Sequence, residues 1–172
     1  MVLHSVDPEV PSLLVEMIWL VGLALACTSL GFYRIVYFVS LGYVLSIVAM
    51  GIVTPIRYLT HLTAISALQN GLLVLWGLRL AVYLIRRESR SAYRKELEVA
   101  TQSVTGLSWP AKIPIWLGVS VCYALMFSPS LFRLTTAGVP SSAASWMVQV
   151  SGLLLMAVGF VLETVADRQK SD

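Results

Sequence analysis

Charge is scarce in this sequence. Asp, Glu, Lys and Arg together make up 12% of its 172 residues, about half the roughly 25% usual in soluble domains. Hydrophobic residues fill 58% of the chain and mean hydropathy is +0.81. A water-soluble fold of this length cannot hide so much apolar surface, and little chain is left over for a catalytic domain outside a bilayer. Cysteine is scarcer still: Cys27 and Cys122 both fall inside apolar runs, where cysteine behaves as a small hydrophobe, and they form neither a disulfide framework nor a metal-ligand pattern. The two histidines, His4 and His61, have no Cys, Asp or Glu at ligand spacing, so no metal centre is expected. There is no phosphate-cradling glycine-rich loop and no Gly-x-Ser-x-Gly elbow, which argues against a P-loop ATPase and a serine hydrolase. Basic residues are missing from Met1 to Ser12, so the first apolar run lacks the leading charge of a cleaved secretory signal and is read as a retained span.

What the sequence does have is long apolar runs. About 20 mostly apolar residues make a helix that crosses a hydrocarbon core roughly 30 Å thick. Leu13–Leu30, Tyr33–Val53, Leu62–Ile85 and Trp146–Val165 meet this length. A fifth run, Ile113–Phe127, reaches it only if the helix continues through Ser128, Pro129 and Leu131; a re-entrant or interfacial segment is the alternative there. The expected fold is all-α: one polytopic membrane domain over 1–172, with about five transmembrane helices near 13–30, 33–53, 62–85, 113–131 and 146–165. Gly31, Thr54-Pro55, Trp109-Pro110 with Pro114, and Gly138 to Ser142 read as turns or helix boundaries between them.

The placement of charge then predicts an orientation. With five alternating helices, Arg34, Arg86, Arg87, Arg90, Arg94, Lys95, Lys112, Arg168 and Lys170 fall on one side, against Arg57 and Arg133 on the other. By the positive-inside tendency the N-terminus is outside or lumenal, and the 86–112 connection and the C-terminus are cytosolic. Basic residues that flank apolar spans match membrane topology and anionic lipid headgroups, so a lipid bilayer is the expected partner and nucleic acid is not.

Ionisable residues at membrane depth are costly, by about 2.5–3.5 kcal/mol on insertion scales, so each is a candidate for function. Three qualify: Glu16, Arg79 and Glu163. Glu16 lies within a turn of the first span's outer end, where a structural role at the interface accounts for it. Arg79 either snorkels to the headgroups or faces the bundle and holds an anionic group in its planar fork of donors, with Tyr83 one turn later on the same face. Glu163 and Asp167 are four residues apart and share a helix face with Lys170. That stripe is either a polar ligand's mouth or an ordinary helix end whose cations complement the dipole. Gln69, Asn70 and Gln149 read as hydrogen-bonding glue between helices, and Gly152 and Gly159 as points of close helix approach.

Two stretches together resemble the steroid 5-alpha-reductase-like superfamily, and within it a large branch of multi-span proteins. They are Leu75-Trp76-Gly77-Leu78-Arg79-Leu80 with Tyr83 and Arg86-Arg87, and the closing Glu163-x-x-Ala166-Asp167-x-Gln169-Lys170. The resemblance implies a helical membrane reductase that uses NADPH to reduce a carbon-carbon double bond in a steroid or other lipid enone. It carries Asp167 over to the cofactor site with Glu163 as its companion; Gln169, Lys170 and Arg79 occupy matching positions. No catalytic residue is assigned, although Tyr83 and Tyr93 have the chemistry of a proton donor. The loop Arg90-Ser91-Ala92-Tyr93-Arg94 keeps the family's tyrosine but not the acids before it. Family members also continue past the Gln-Lys step, so the expectation is the N-terminal part of such a reductase, with an incomplete nicotinamide pocket. The alternative is a non-enzymatic membrane protein that packs against a partner or carries a small hydrophobic molecule.

Overall fold

The computed structural model describes residues 13–89, 108–135 and 143–171, with side chains of the final helix from 145 to 169. Among them are five helices long and apolar enough to cross a membrane and no strand. Helix α1, Leu13–Thr28, runs into a 3-10 turn, Ser29–Phe32; a second 3-10 turn, Ile35–Phe38, leads into α2, Leu41–Arg57. Helix α3 is Ala64–Glu88, α4 is Trp109–Thr135 and α5 is Ala143–Ser171.

Local chemistry sets the ends. Thr63 starts α3 with a reciprocal cap: its hydroxyl accepts from the Ser66 amide at 3.3 Å, and the Ser66 hydroxyl accepts from the Thr63 amide at 2.9 Å. At the other end Arg86 and Arg87 occupy the last turn, where cations suit the dipole. Pro110, the second residue of α4, needs no amide donor there.

Prolines sit inside two of the helices. Thr54-Pro55 lies in the last turn of α2, which ends at Arg57, so the boundary falls two residues past the proline; Pro55 forfeits one amide donor, to the Gly51 carbonyl. The fourth apolar run does continue past Phe127, since α4 covers 27 residues with Pro129 inside it; Pro114 also lies inside, so it is not a boundary. Pro129 cannot donate to the Leu125 carbonyl four residues back, and the Ser128 hydroxyl donates to that carbonyl instead, at 2.8 Å. Such local substitution is what lets a membrane helix carry proline.

The core is built by α1, α2 and α4, whose Leu20, Ala24, Ile47, Met50, Tyr123, Ala124, Phe127 and Leu131 pack together. Polar ties reinforce it: Thr28 and Ser120 share a hydrogen bond at 2.8 Å, and the Trp116 indole donates to the Leu25 carbonyl at 3.1 Å. Helix α3 lies close on α2. A Cβ at Gly77 would stand 2.5 Å from Cγ2 of Val48, and one at Gly51 would stand 3.0 Å from Cγ2 of Val74. The expected close approach at Gly152 and Gly159 is absent, since nothing lies within 4 Å of a Cβ at either. Helix α5 leans on α3 but buries none of its apolar stretch.

Side-chain ties fix which ends lie together. Arg34 pairs with Glu88 at 2.8 Å, Phe32 stacks on Trp109 at 4.9 Å, and Arg79 meets Asp167. These place the α1–α2 turn, the end of α3, the start of α4 and the end of α5 at one end of the bundle. Arg57 to Glu16 and Arg133 to Gln149 tie the opposite ends.

Candidate functional site

The site lies where α5 meets α3. Arg79 sits nine residues before the end of α3, about 13 Å along the axis at 1.5 Å per residue. Its Nη1 donates to Oδ2 of Asp167 at 3.0 Å, and its Nη2 is 3.3 Å from Oε1 of Glu163. The Trp76 indole N–H, one turn earlier on α3, donates to Oε2 of Glu163. The Phe160 ring faces the guanidinium with its centroid 5.5 Å away, close enough for a cation–π contact. These positions follow from helical periodicity: Trp76 and Arg79 are three apart on α3, and Phe160, Glu163 and Asp167 recur at three and four on α5, so each set lies on one face.

The cluster is neither sealed nor open. Side-chain exposures are 21% for Arg79, 17% for Asp167 and 37% for Glu163. Two carboxylates face one guanidinium, so the group carries a net negative charge when ionised. Arg79 Nε and Nη2 are buried atoms that make no hydrogen bond, Nη2 contributing only its ion pair. The partly exposed carboxylates can thus accept hydrogen bonds from hydroxyls, while Arg79 serves to hold them.

Of the residues singled out in the sequence, the structure brings Arg79, Glu163 and Asp167 together. Gln169 is an exposed residue at the end of α5, Tyr83 is half-buried one turn beyond Arg79, and Lys170 lies on α5 with its side chain outside the described set. The Arg90 to Arg94 segment with Tyr93 is also outside the described residues. Asn70 does link helices: it accepts from the Ser130 hydroxyl at 3.0 Å. Gln149 accepts from Arg133.

Two features were missed in the sequence, and a third residue has a partner that the sequence did not indicate. Trp76 was read only as part of a motif, yet it holds Glu163. At the end of α3, Glu88 accepts from both Arg34 and the Tyr37 hydroxyl; an acid beside Arg86-Arg87 was the available signal. Glu16, expected near the interface, is 1% exposed and paired to Arg57 at 3.0 Å.

No curated protein and no solved structure matches the chain. A family model described as a protein of unknown function, DUF1295, matches residues 34–172. That span holds α2 to α5 and every residue of the Arg79 cluster, and this chain belongs to the DUF1295 family.

Proposed function

We propose that this protein is a membrane reductase of the steroid 5-alpha-reductase-like kind, with the Arg79 cluster as part of its NADPH site. One observation carries the reading. The two stretches that resemble that superfamily, 87 and 88 positions apart at their points of contact, touch directly through Trp76 to Glu163 and Arg79 to Asp167. The joined motifs leave two partly exposed carboxylates at the contact of α3 with α5, which supports a binding role.

The donor set fits the cofactor. Asp167 and Glu163 would accept from ribose hydroxyls, and Arg79 would hold the two carboxylates in position. Arg86, exposed in the last turn of α3, adds positive charge at the same end of the bundle. The chemistry that NADPH supplies when bound is hydride delivery to a double bond conjugated with a carbonyl. The substrate class is a hydrophobic lipid or sterol that arrives through the bilayer, and the basic end of the bundle faces the cytosol, where NADPH is available.

Purified protein in detergent should bind NADPH saturably, raising its melting midpoint as any ligand of the native state does. Asp167→Ala should weaken that binding at least tenfold. No saturable binding by the native chain refutes the reading. A second reading, a helix-packing partner or carrier without enzymatic activity, is favoured by the uncovered apolar stretch of α5. It requires a cross-linked partner at α5 in native membranes and no response to NADPH.

A further inference from the structure

Next to the Arg79 cluster, three helices bring aromatic rings together. Helices α3 and α4 both pack on α2 but touch each other little. Between them the Tyr43 ring of α2 meets the Trp76 ring of α3 edge-on at 5.7 Å and the Tyr123 ring of α4 at 4.9 Å. One end of this seam is closed: the Ser130 hydroxyl donates to the Asn70 side chain at 3.0 Å, and both residues are buried. Trp76 follows Asn70 by six residues, about 9 Å along α3 toward the cytosolic end. The other end adjoins the cofactor site proposed above, because Trp76 donates its indole hydrogen to Glu163 and Arg79 comes one turn later.

The three rings differ in what they hold. The Tyr123 hydroxyl donates to the Phe38 carbonyl at 3.0 Å, and Trp76 gives its single N–H to Glu163. Among the described residues Tyr43 is held by its ring contacts. It is half-buried, and its phenol lies within electrostatic reach of the Glu163 carboxylate. Leu73, Trp76 and Phe127 belong to the same apolar packing, and α4 presents Cys122, Leu125 and Met126 to the bilayer, all exposed.

We propose that the seam between α3 and α4 binds a neutral hydrophobic molecule by its carbonyl oxygen, with the Tyr43 hydroxyl as the hydrogen-bond donor. The inference deepens the reductase reading and rests on it for the choice of a carbonyl over other acceptors, since an enone carries its oxygen in conjugation with the bond to be reduced. Aromatic walls suit a flat apolar skeleton, and one well-placed polar group is enough to orient such a ligand. The neighbours exclude charge. An anion would face Glu163, and a cation would compete with Arg79 for the same carboxylate.

Two probes separate the oxygen from the skeleton: cholestenone, with its conjugated ring ketone, and the cholestene that lacks the oxygen. Each is titrated as a mole fraction of mixed micelles while the melting midpoint of the full chain is followed, with no NADPH present. The native protein should hold the ketone about tenfold more tightly than the hydrocarbon. Tyr43→Phe keeps both ring contacts and should abolish that preference while leaving hydrocarbon binding unchanged. Tyr123→Phe loses its bond to the Phe38 carbonyl and should melt earlier, yet keep the preference. A native chain that binds both probes alike, or neither, overturns the proposal; so does a Tyr43→Phe variant that still prefers the ketone. NADPH titrated separately should bind native and Tyr43→Phe protein equally. Its failure to bind the native chain would remove the reductase reading and leave the ketone preference standing, whereas loss of the preference alone would remove only the role of Tyr43.

Discussion

Arg79 illustrates how a membrane protein accommodates a cation below its interface. Its insertion cost of about 2.5–3.5 kcal/mol is offset by two carboxylates and an aromatic face, all on α5. Removing the cation alone strands Glu163 and Asp167. Arg79→Leu should therefore destabilise the fold by about 2–3 kcal/mol, less than the 3–5 kcal/mol of a sealed pair because Glu163 is over a third exposed. Replacing Arg79, Glu163 and Asp167 together by Leu should recover most of that loss, because no charge then remains to be desolvated. Denaturant titration in mixed micelles reads both numbers. A triple variant no more stable than Arg79→Leu would show that the carboxylates were never relying on the arginine. NADPH binding is expected to vanish in both variants, since stability can be restored without the donor set.

At the scale of elements, helix spacing depends on where glycine meets a neighbour rather than on where glycine occurs. Gly77→Ala drives a methyl to 2.5 Å from Val48 Cγ2, so α3 must shift or Val48 must rotate, at about 1–3 kcal/mol. Gly159→Ala meets nothing within 4 Å and gains up to about 1 kcal/mol of helix propensity. Melting midpoints of the two should move in opposite directions; movement in the same direction would contradict the packing described. This contrast explains what was legible in the sequence. The five helices were, because spanning a bilayer needs only length and apolarity. Gly152 and Gly159 read the same as Gly51 and Gly77 until the neighbouring helix is known. Continuation of the fourth run through Pro129 was left open against a re-entrant segment, because it depends on whether another donor reaches the Leu125 carbonyl, and Ser128 does. Arg79, Glu163 and Asp167 stood out as ionisable residues at depth, but their pairing depends on α5 lying beside α3. Trp76 was hidden among apolar neighbours, because its single N–H gains meaning only from an acceptor in reach.

For the whole molecule, the ties at the two ends make a claim about topology that the positive-inside tendency can only rank. Arg34 to Glu88, Phe32 to Trp109 and Arg79 to Asp167 require positions 34, 88, 109 and 167 to share one side. Glu16 to Arg57 and Arg133 to Gln149 require 16, 57, 133 and 149 to share the other. An even number of crossings between 88 and 167 is therefore forced, and α4 with α5 supplies it. Both native thiols, Cys27 and Cys122, are free and can be replaced by Ala to give a blank background. On it, Ser89→Cys, Ser108→Cys and Arg168→Cys should react with an impermeant maleimide only after the cytosolic face is opened, whereas Leu59→Cys and His61→Cys should react from outside. If Arg168→Cys labels together with Leu59→Cys, α5 is not a crossing, and the Arg79 cluster cannot form in the membrane. If all five positions keep their grouping with the sides exchanged, the cluster stands, but it faces away from the cytosolic NADPH on which the reductase reading draws.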